Sequence, residues 1–372
     1  MRILITGNLG YVGPWVTRQL RARYPDAVLV GVDVGYFAHC LTDVRHLPET
    51  LLDAQYYADI RRFPRDLLTG VDAVVHLAAI SNDPMGNVYE DVTFDVNYRA
   101  GIELARQARA AGVQAFVFAS SCSVYGFAGD RPRTEQSEVG PLTAYAKSKV
   151  LMERGLRELA GNDFRVTCLR FATACGMSDR LRLDLVLNDF VACAVSTKRI
   201  SVLSDGTPWR PLINVRDMAR AIEWAVGRER QAGGDFLVVN AGSDRWNYQV
   251  HELARAVADL VPGTEVFIND AAPPDKRSYR VDFSLFRQLA PAHQPEWDLQ
   301  GTIDALRKGL AAIGFADSNF RDSSFMRLRV LTDLRSRGLL SGSLEWSAKH
   351  SLADAPPSPP SAGIDAHPVS YV

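Results

Sequence analysis

A chain of 372 residues with 47% apolar and 23% charged side chains can build one large or two modest globular domains. Its 42 basic residues nearly cancel its 43 acidic ones, which leaves no charge footprint for nucleic acid or an anionic membrane. No apolar run approaches the roughly 20 residues needed to span a bilayer, so the expected partner is a small molecule.

The first apolar run, Arg2–Thr6, reads as a strand rather than a signal peptide. It runs into Gly7-Asn8-Leu9-Gly10-Tyr11-Val12-Gly13, and helical spacing (Val12, Val16, Leu20) follows over 11–24. In a strand–turn–helix of this kind Gly7 permits the tight turn. Gly10 lets the backbone, with Tyr11 and Val12, approach a pyrophosphate, and Gly13 lets the helix pack on the strand. The phosphates would sit at the helix N-terminus, where free N–H groups favour negative charge. A second strand over 27–33 ends in Asp33, where a carboxylate hydrogen-bonds ribose hydroxyls and repels a 2′-phosphate; NAD is therefore expected over NADP.

A third strand over 55–58 is followed by Asp59 and Ile60, placed to cap an adenine. A fourth over 73–78 ends in His76-Leu77-Ala78-Ala79, where Leu77, Ala78 and Ala79 suit a ligand passing close to the backbone. His76 reads as a buried structural residue. A long helix over 90–110, a strand over 115–120, a helix over 145–159 and a strand over Arg165–Phe171 complete the alternation. The pattern predicts an α/β fold with a Rossmann-type doubly wound parallel sheet. Tyr145 and Lys149, four apart, share a helix face. A free tyrosine titrates near about 10, and a neighbouring ammonium together with a positive nicotinamide ring favours its phenolate. Ser121, at the end of the fifth strand, is placed to hydrogen-bond the substrate oxygen that Tyr145 deprotonates.

Beyond Phe171 the rhythm changes, with helices over 183–196, 215–226, 248–261, 301–313 and 324–337 and strands over 200–203, 235–240 and 265–268. These predict a smaller, partly interleaved C-terminal region. Residues 1–171, with returning segments near 212–240, would hold the dinucleotide, and 172–347 the substrate. The tail 348–372 is rich in proline and serine and is expected to lack packed structure. Cys40, Cys122, Cys168, Cys175 and Cys193 are scattered and odd in number, as in reduced packing residues of a cytoplasmic protein; no metal is expected.

Over roughly residues 1 to 315 the chain resembles the nucleotide-sugar epimerase/dehydratase family of extended short-chain dehydrogenases/reductases. The resemblance rests on Thr6–Gly13, Asp33, Asp59-Ile60, His76–Ala79, Asn97, Ser120–Gly126, Tyr145–Lys149, Arg170-Phe171 and Asp205–Asp217. It implies a catalytic set of Ser121, Tyr145 and Lys149, a cofactor contact from Phe171, and an Asn97 that supports the site through the backbone. It also implies that Asn188 and Arg210 bind the substrate diphosphate, with Arg277 as a second clamp, and a homodimer. Thr173 stands where many members carry a sugar-contacting asparagine. Cys122 and Ser123 stand where dehydratases carry Asp-Glu, so 4,6-dehydration loses its acid and Ser123 becomes a sugar contact. The implied reaction is C4 inversion of a nucleotide hexose through a 4-keto intermediate. A 4-keto nucleotide-sugar reductase using NAD(P)H is the alternative, and a non-catalytic dinucleotide-binding protein is the alternative of another class.

Overall fold

The computed structural model describes residues 1–42, 44–127, 129, 131–269, 271–272 and 278–347. Twelve strands are present among them. They are β1 (Arg2–Thr6), β2 (Val28–Asp33), β3 (Ala54–Tyr57), β4 (Ala73–His76), β5 (Ala115–Ser121) and β6 (Arg165–Phe171), then β7 (Thr173–Cys175), β8 (Arg199–Val202), β9 (Trp209–Asn214), β10 (Phe236–Ala241), β11 (Asn247–Gln249) and β12 (Glu265–Ile268). The Val-, Leu- and Phe-rich runs pair into one seven-stranded parallel sheet in the order β10-β6-β5-β4-β1-β2-β3. Side chains alternate across it: Ile3 and Ile5 join the core on one face and Leu4 the core on the other. Burial of both faces explains why these strands read as continuous apolar runs.

From β1 the chain builds outward to β2 and β3, then returns to β4 on the opposite side. That reversal opens a crevice beyond the carboxyl ends of β1 and β4, where ligands bind in open α/β sheets. Thr6, Asp33, His76, Ser121 and Phe171 are the last residues of five adjacent or near-adjacent strands, so the strand ends carry the candidate site.

Helices α1 (Gly13–Arg23), α2 (Asp83–Val88), α3 (Glu90–Phe94), α4 (Gly101–Ala110), α5 (Ala144–Leu159), α6 (Val186–Ser196) and α7 (Val215–Gly227) belong to Met1–Val330, the first of two compact units. The helix expected over 90–110 is interrupted: between α3 and α4 lies a π turn, Asp95–Ala100, of the kind often found at functional positions. The helix expected from 183 starts only at Val186, and residues 176–185 are mostly irregular. Trp209–Asn214 is a strand that Pro208 and Pro211 obscured; it forms a three-stranded sheet with β7 and β11. β10 returns to the main sheet beyond β6. In the second unit, Leu331–Val372, the helix Arg327–Ser336 ends and a bridge joins Leu340 to Trp346. The tail 348–372 lies outside the described residues.

Candidate active site

Gly7 leaves β1 with φ +76°, and a Cβ there would stand 2.4 Å from the Ala78 nitrogen at the end of β4. Gly13 opens α1 so close to the loop that a Cβ would stand 2.0 Å from the Asn8 carbonyl oxygen. Both positions therefore require glycine for packing. A Cβ on Gly10 would meet only the Gly7 carbonyl oxygen, at 3.2 Å, and Gly10 lines a cavity of about 550 Å³. Val12, the cap of α1, offers no side-chain cap; Pro14 has no N–H and the Trp15 and Val16 N–H groups turn back to the Val12 carbonyl, so a ligand would meet the backbone of the turn before them. This uncapped, glycine-bordered cradle fits the diphosphate of a dinucleotide.

Asp33 borders the same cavity. Its carboxylate accepts hydrogen bonds from the Leu9 nitrogen (3.0 Å), which ties β2 to the glycine loop, and from the Gly35 nitrogen (2.8 Å). Burial pushes its pKa up, against those two N–H groups and Arg180. Asp59 and Ile60 also line the cavity, but the Asp59 carboxylate caps its own turn and clamps Arg61, with Nη2 at 2.5 Å. Leu77, Ala78 and Ala79 form the wall at the end of β4. His76 lies behind that wall, neutral, 2.7 Å from Thr6 Oγ1, with burial pulling its pKa down to about 3.

Thr143 caps α5, accepting from the Ala146 nitrogen and donating to Asp83, which sets Tyr145 in the first turn facing the cavity. Ser121 lines the same cavity and favours the Tyr145 phenolate, and its Oγ accepts from the Ser123 nitrogen at 3.1 Å. One turn further on, Lys149 Nζ donates to the Ala119 carbonyl (2.7 Å) and lies 5.5 Å from the centre of the Tyr145 ring. The electrostatics differ from the expectation that Lys149 lowers Tyr145. Burial pushes the phenol up to about 12; Ser121 and Arg182 oppose it and Asp83 adds to it. Burial also brings Lys149 down to about 7, opposed by Glu153 and Cys168. Among the charges acting on Tyr145, Arg182 favours the phenolate and Asp83 opposes it.

Ser123, Phe171, Thr173 and Arg210 line the cavity as well. Ser123 Oγ is buried with no hydrogen-bond partner among the described residues, which leaves it for a ligand. Asn97 stands outside the cavity, in the π turn: its amide holds Ile80 at both nitrogen (2.8 Å) and oxygen (3.0 Å) and donates to Ser148 Oγ. Ser148 in turn donates to the Tyr145 carbonyl, so Asn97 fixes the start of α5 at one remove. Asn188 is a correction. It is fully buried outside the cavity, and its amide accepts from the Gly176 nitrogen while donating to the Tyr11 hydroxyl and the Arg182 carbonyl. No donor of that amide is left for a diphosphate; it positions Tyr11 instead. Arg277 lies outside the described residues. Cys122 is buried and donates to the Arg170 carbonyl, and burial drives its pKa up, as befits packing.

Sequence reasoning missed Arg182, Asp184, Tyr279 and Arg327, all of which line the cavity. Arg182 grips Asp184 through Nε (2.8 Å) and Nη2 (2.9 Å) and donates to Ser81, while Asn82 also donates to Asp184. A signal was present: Arg180, Arg182 and Asp184 alternate with Leu181, Leu183 and Leu185, a pattern of paired buried charge. Two carboxylates of the cavity are thus engaged, Asp83 with Thr143 and Asp184 with Arg182.

The model of the NAD dependent epimerase/dehydratase family matches residues 3–242. The chain belongs to that family. It is an NAD-dependent enzyme of the extended short-chain dehydrogenase/reductase type. UDP-glucose 4-epimerase of Neisseria meningitidis serogroup A (strain DSM 15465 / Z2491) is 28% identical over 284 residues, covering 68% of this chain and 80% of that one. dTDP-glucose 4,6-dehydratase of Streptomyces griseus is 28% identical over 302 residues, 78% of this chain and 89% of that one. The crystal structure of UDP-glucose-4-epimerase from Stenotrophomonas maltophila with bound NAD and formylated UDP-arabinopyranose superposes with a TM-score of 0.71 at 24% identity. It covers 85% of this chain and 100% of that one, and it shows the shared fold. Among the described residues no helix is long and apolar enough to cross a membrane, and no group of three His, Cys, Asp or Glu residues is placed to hold a metal.

Proposed function

We propose that this chain is a nucleotide-sugar epimerase that inverts C4 of a nucleoside-diphosphate hexose through a 4-keto intermediate. The observation that carries the reading is the placement of Ser121, Tyr145 and Lys149 together on the wall of a cavity that reaches from the glycine loop to Arg210. NAD, when bound, accepts a hydride from the sugar carbon and returns it, and its oxidised ring adds the positive charge that Tyr145 lacks. Tyr145 takes the proton of the sugar 4-hydroxyl, and Ser121 holds the same oxygen by a hydrogen bond. Lys149, which lines the cavity one turn beyond Tyr145, would hold the nicotinamide ribose. Arg210 grips the diphosphate, for which a guanidinium fork is suited. Ser123 and Thr173 border the hexose loosely enough for the ketone to turn over. Residues 1–171, with segments near 212–240, carry most of the cofactor site and 172–347 mainly the sugar nucleotide in this reading.

Dehydration is disfavoured because Cys122 and Ser123 offer no acid beside Ser121, and Asp83 and Asp184 already hold partners. The test is incubation of the enzyme with UDP-hexoses and UDP-N-acetylhexosamines. Interconversion of C4 isomers without net change in reduced cofactor is expected. Steady consumption of NAD(P)H with a 4-keto sugar would contradict the epimerase and favour the reductase.

A further inference from the structure

Arg327 is 1% exposed, yet it reaches the cavity that Gly10, Tyr11 and Val12 line. Its guanidinium donates to the carbonyls of Ser324 (2.8 Å), Arg180 (2.9 Å) and Leu181 (3.2 Å) and lies 5.0 Å from the centre of the Phe37 ring. No carboxylate is among these partners. Its neighbours are arranged otherwise: Arg180 is paired with Glu49 at 2.7 Å and Arg182 with Asp184 at 2.8 Å. Asp184 acts on Arg327 only at longer range. A buried cation held by carbonyls alone is costly unless an anion joins it. Burial accordingly pulls this arginine down to about 10.

The surroundings say which anion. Phe37, whose ring the guanidinium lies over, and Cys40, which acts on it, follow β2 and Asp33, the side of the crevice expected to take the adenosine. The segment that bonds Arg327 is itself tied to the glycine loop: the Ser178 hydroxyl donates to the Tyr11 carbonyl (2.7 Å) and accepts from the Arg180 nitrogen (3.3 Å). The Leu183 nitrogen donates to the Phe325 carbonyl, which joins that segment to the stretch leading into Arg327.

We propose that Arg327 is a ligand of the cofactor's diphosphate, and that the strap formed by residues 178–183 and 324–327 holds the dinucleotide against the glycine loop. Arg327 lies beyond the residues 3–242 matched by the family model, so the match assigns it nothing. The proposal rests on NAD being the cofactor.

The test measures dissociation constants of NAD, ADP, adenosine and UDP on cofactor-stripped full-length protein, wild type and Arg327→Gln, by calorimetry. Failure of the wild type to bind NAD would remove the cofactor reading itself. With that binding in place, Arg327→Gln should weaken NAD and ADP at least about tenfold while adenosine and UDP change less than about threefold. Unchanged ADP binding, or an equal loss for adenosine, would overturn the diphosphate contact. A loss confined to UDP would place the anion on the sugar nucleotide and overturn it too. If Arg327→Gln does not fold, Arg327→Lys, which keeps the charge and loses the fork, carries the same comparison. It should weaken ADP at least about threefold and leave adenosine unchanged; unchanged ADP binding would overturn the proposal.

Discussion

Lys149 is a buried ammonium whose hydrogen bond to the Ala119 carbonyl only partly replaces water, and that is why it titrates at about 7. In the unfolded chain the same group titrates near about 10.4. Between those values the unfolded chain holds a proton that the folded chain has released, so stability rises with pH across that window and is lowest below it. Lys149→Met should therefore raise the melting temperature of the cofactor-free protein at pH 6, and the gain should fade by pH 9.5. A constant difference across that range would contradict the buried-ammonium account. Tyr145 stands on the other side of the ledger, pushed up to about 12 and protonated throughout the neutral range. Tyr145→Phe should lose at least about 100-fold in turnover, the scale of a lost general base, and keep NAD at wild-type occupancy. Retained turnover would remove Tyr145 from the chemistry. The pairing of Tyr145 with Ser121 was legible in the sequence because helix spacing and a strand end fix both positions. The upward shift of Tyr145 was not, because it comes from burial in the folded cavity wall, which Ser121 and Arg182 only partly oppose.

α5 presents Tyr145, Lys149 and Glu153 on successive turns of one face. Glu153 is buried and pairs with Arg170 of β6 at 2.7 Å, while the Ser120 hydroxyl donates to it at 2.6 Å. Arg170 also donates to the Tyr125 hydroxyl, which donates to Asn240 of β10. The helix that carries the candidate base is thereby anchored to β5, β6 and β10 together. Glu153→Gln would leave the Arg170 charge without its partner. Such a loss costs about 3–5 kcal/mol, to be read as a lower midpoint in urea unfolding. A midpoint within error of wild type would show that the anchor is dispensable. Elements with one clear period were legible: the glycine turn, α1, β4 and β5 stand where their residues predict them. Residues 176–185 were not: charges alternating with leucines over 180–185 carry the period of a strand, yet the segment is irregular. Their role emerges only when β7 and α1 bring them beside the glycine loop. Asn188 illustrates the same limit. Its residue type suits a phosphate contact, but the packing of α6 turns its amide toward Gly176, Tyr11 and Arg182.

At the scale of the whole molecule, the reversal of strand order between β1 and β4 places a dinucleotide cradle and a Tyr–Ser pair along one continuous cavity. In the proposed reading, proton removal and hydride transfer would occur at one sugar carbon while Arg210 holds the diphosphate elsewhere. The proposed epimerisation requires the hydrogen that leaves C4 to return to C4. The most direct measurement is mass and NMR analysis of the product formed from a UDP-hexose deuterated at C4, in ordinary water. The account predicts the C4 epimer with the deuterium still at C4. Deuterium lost to solvent, or found at C6, would contradict it.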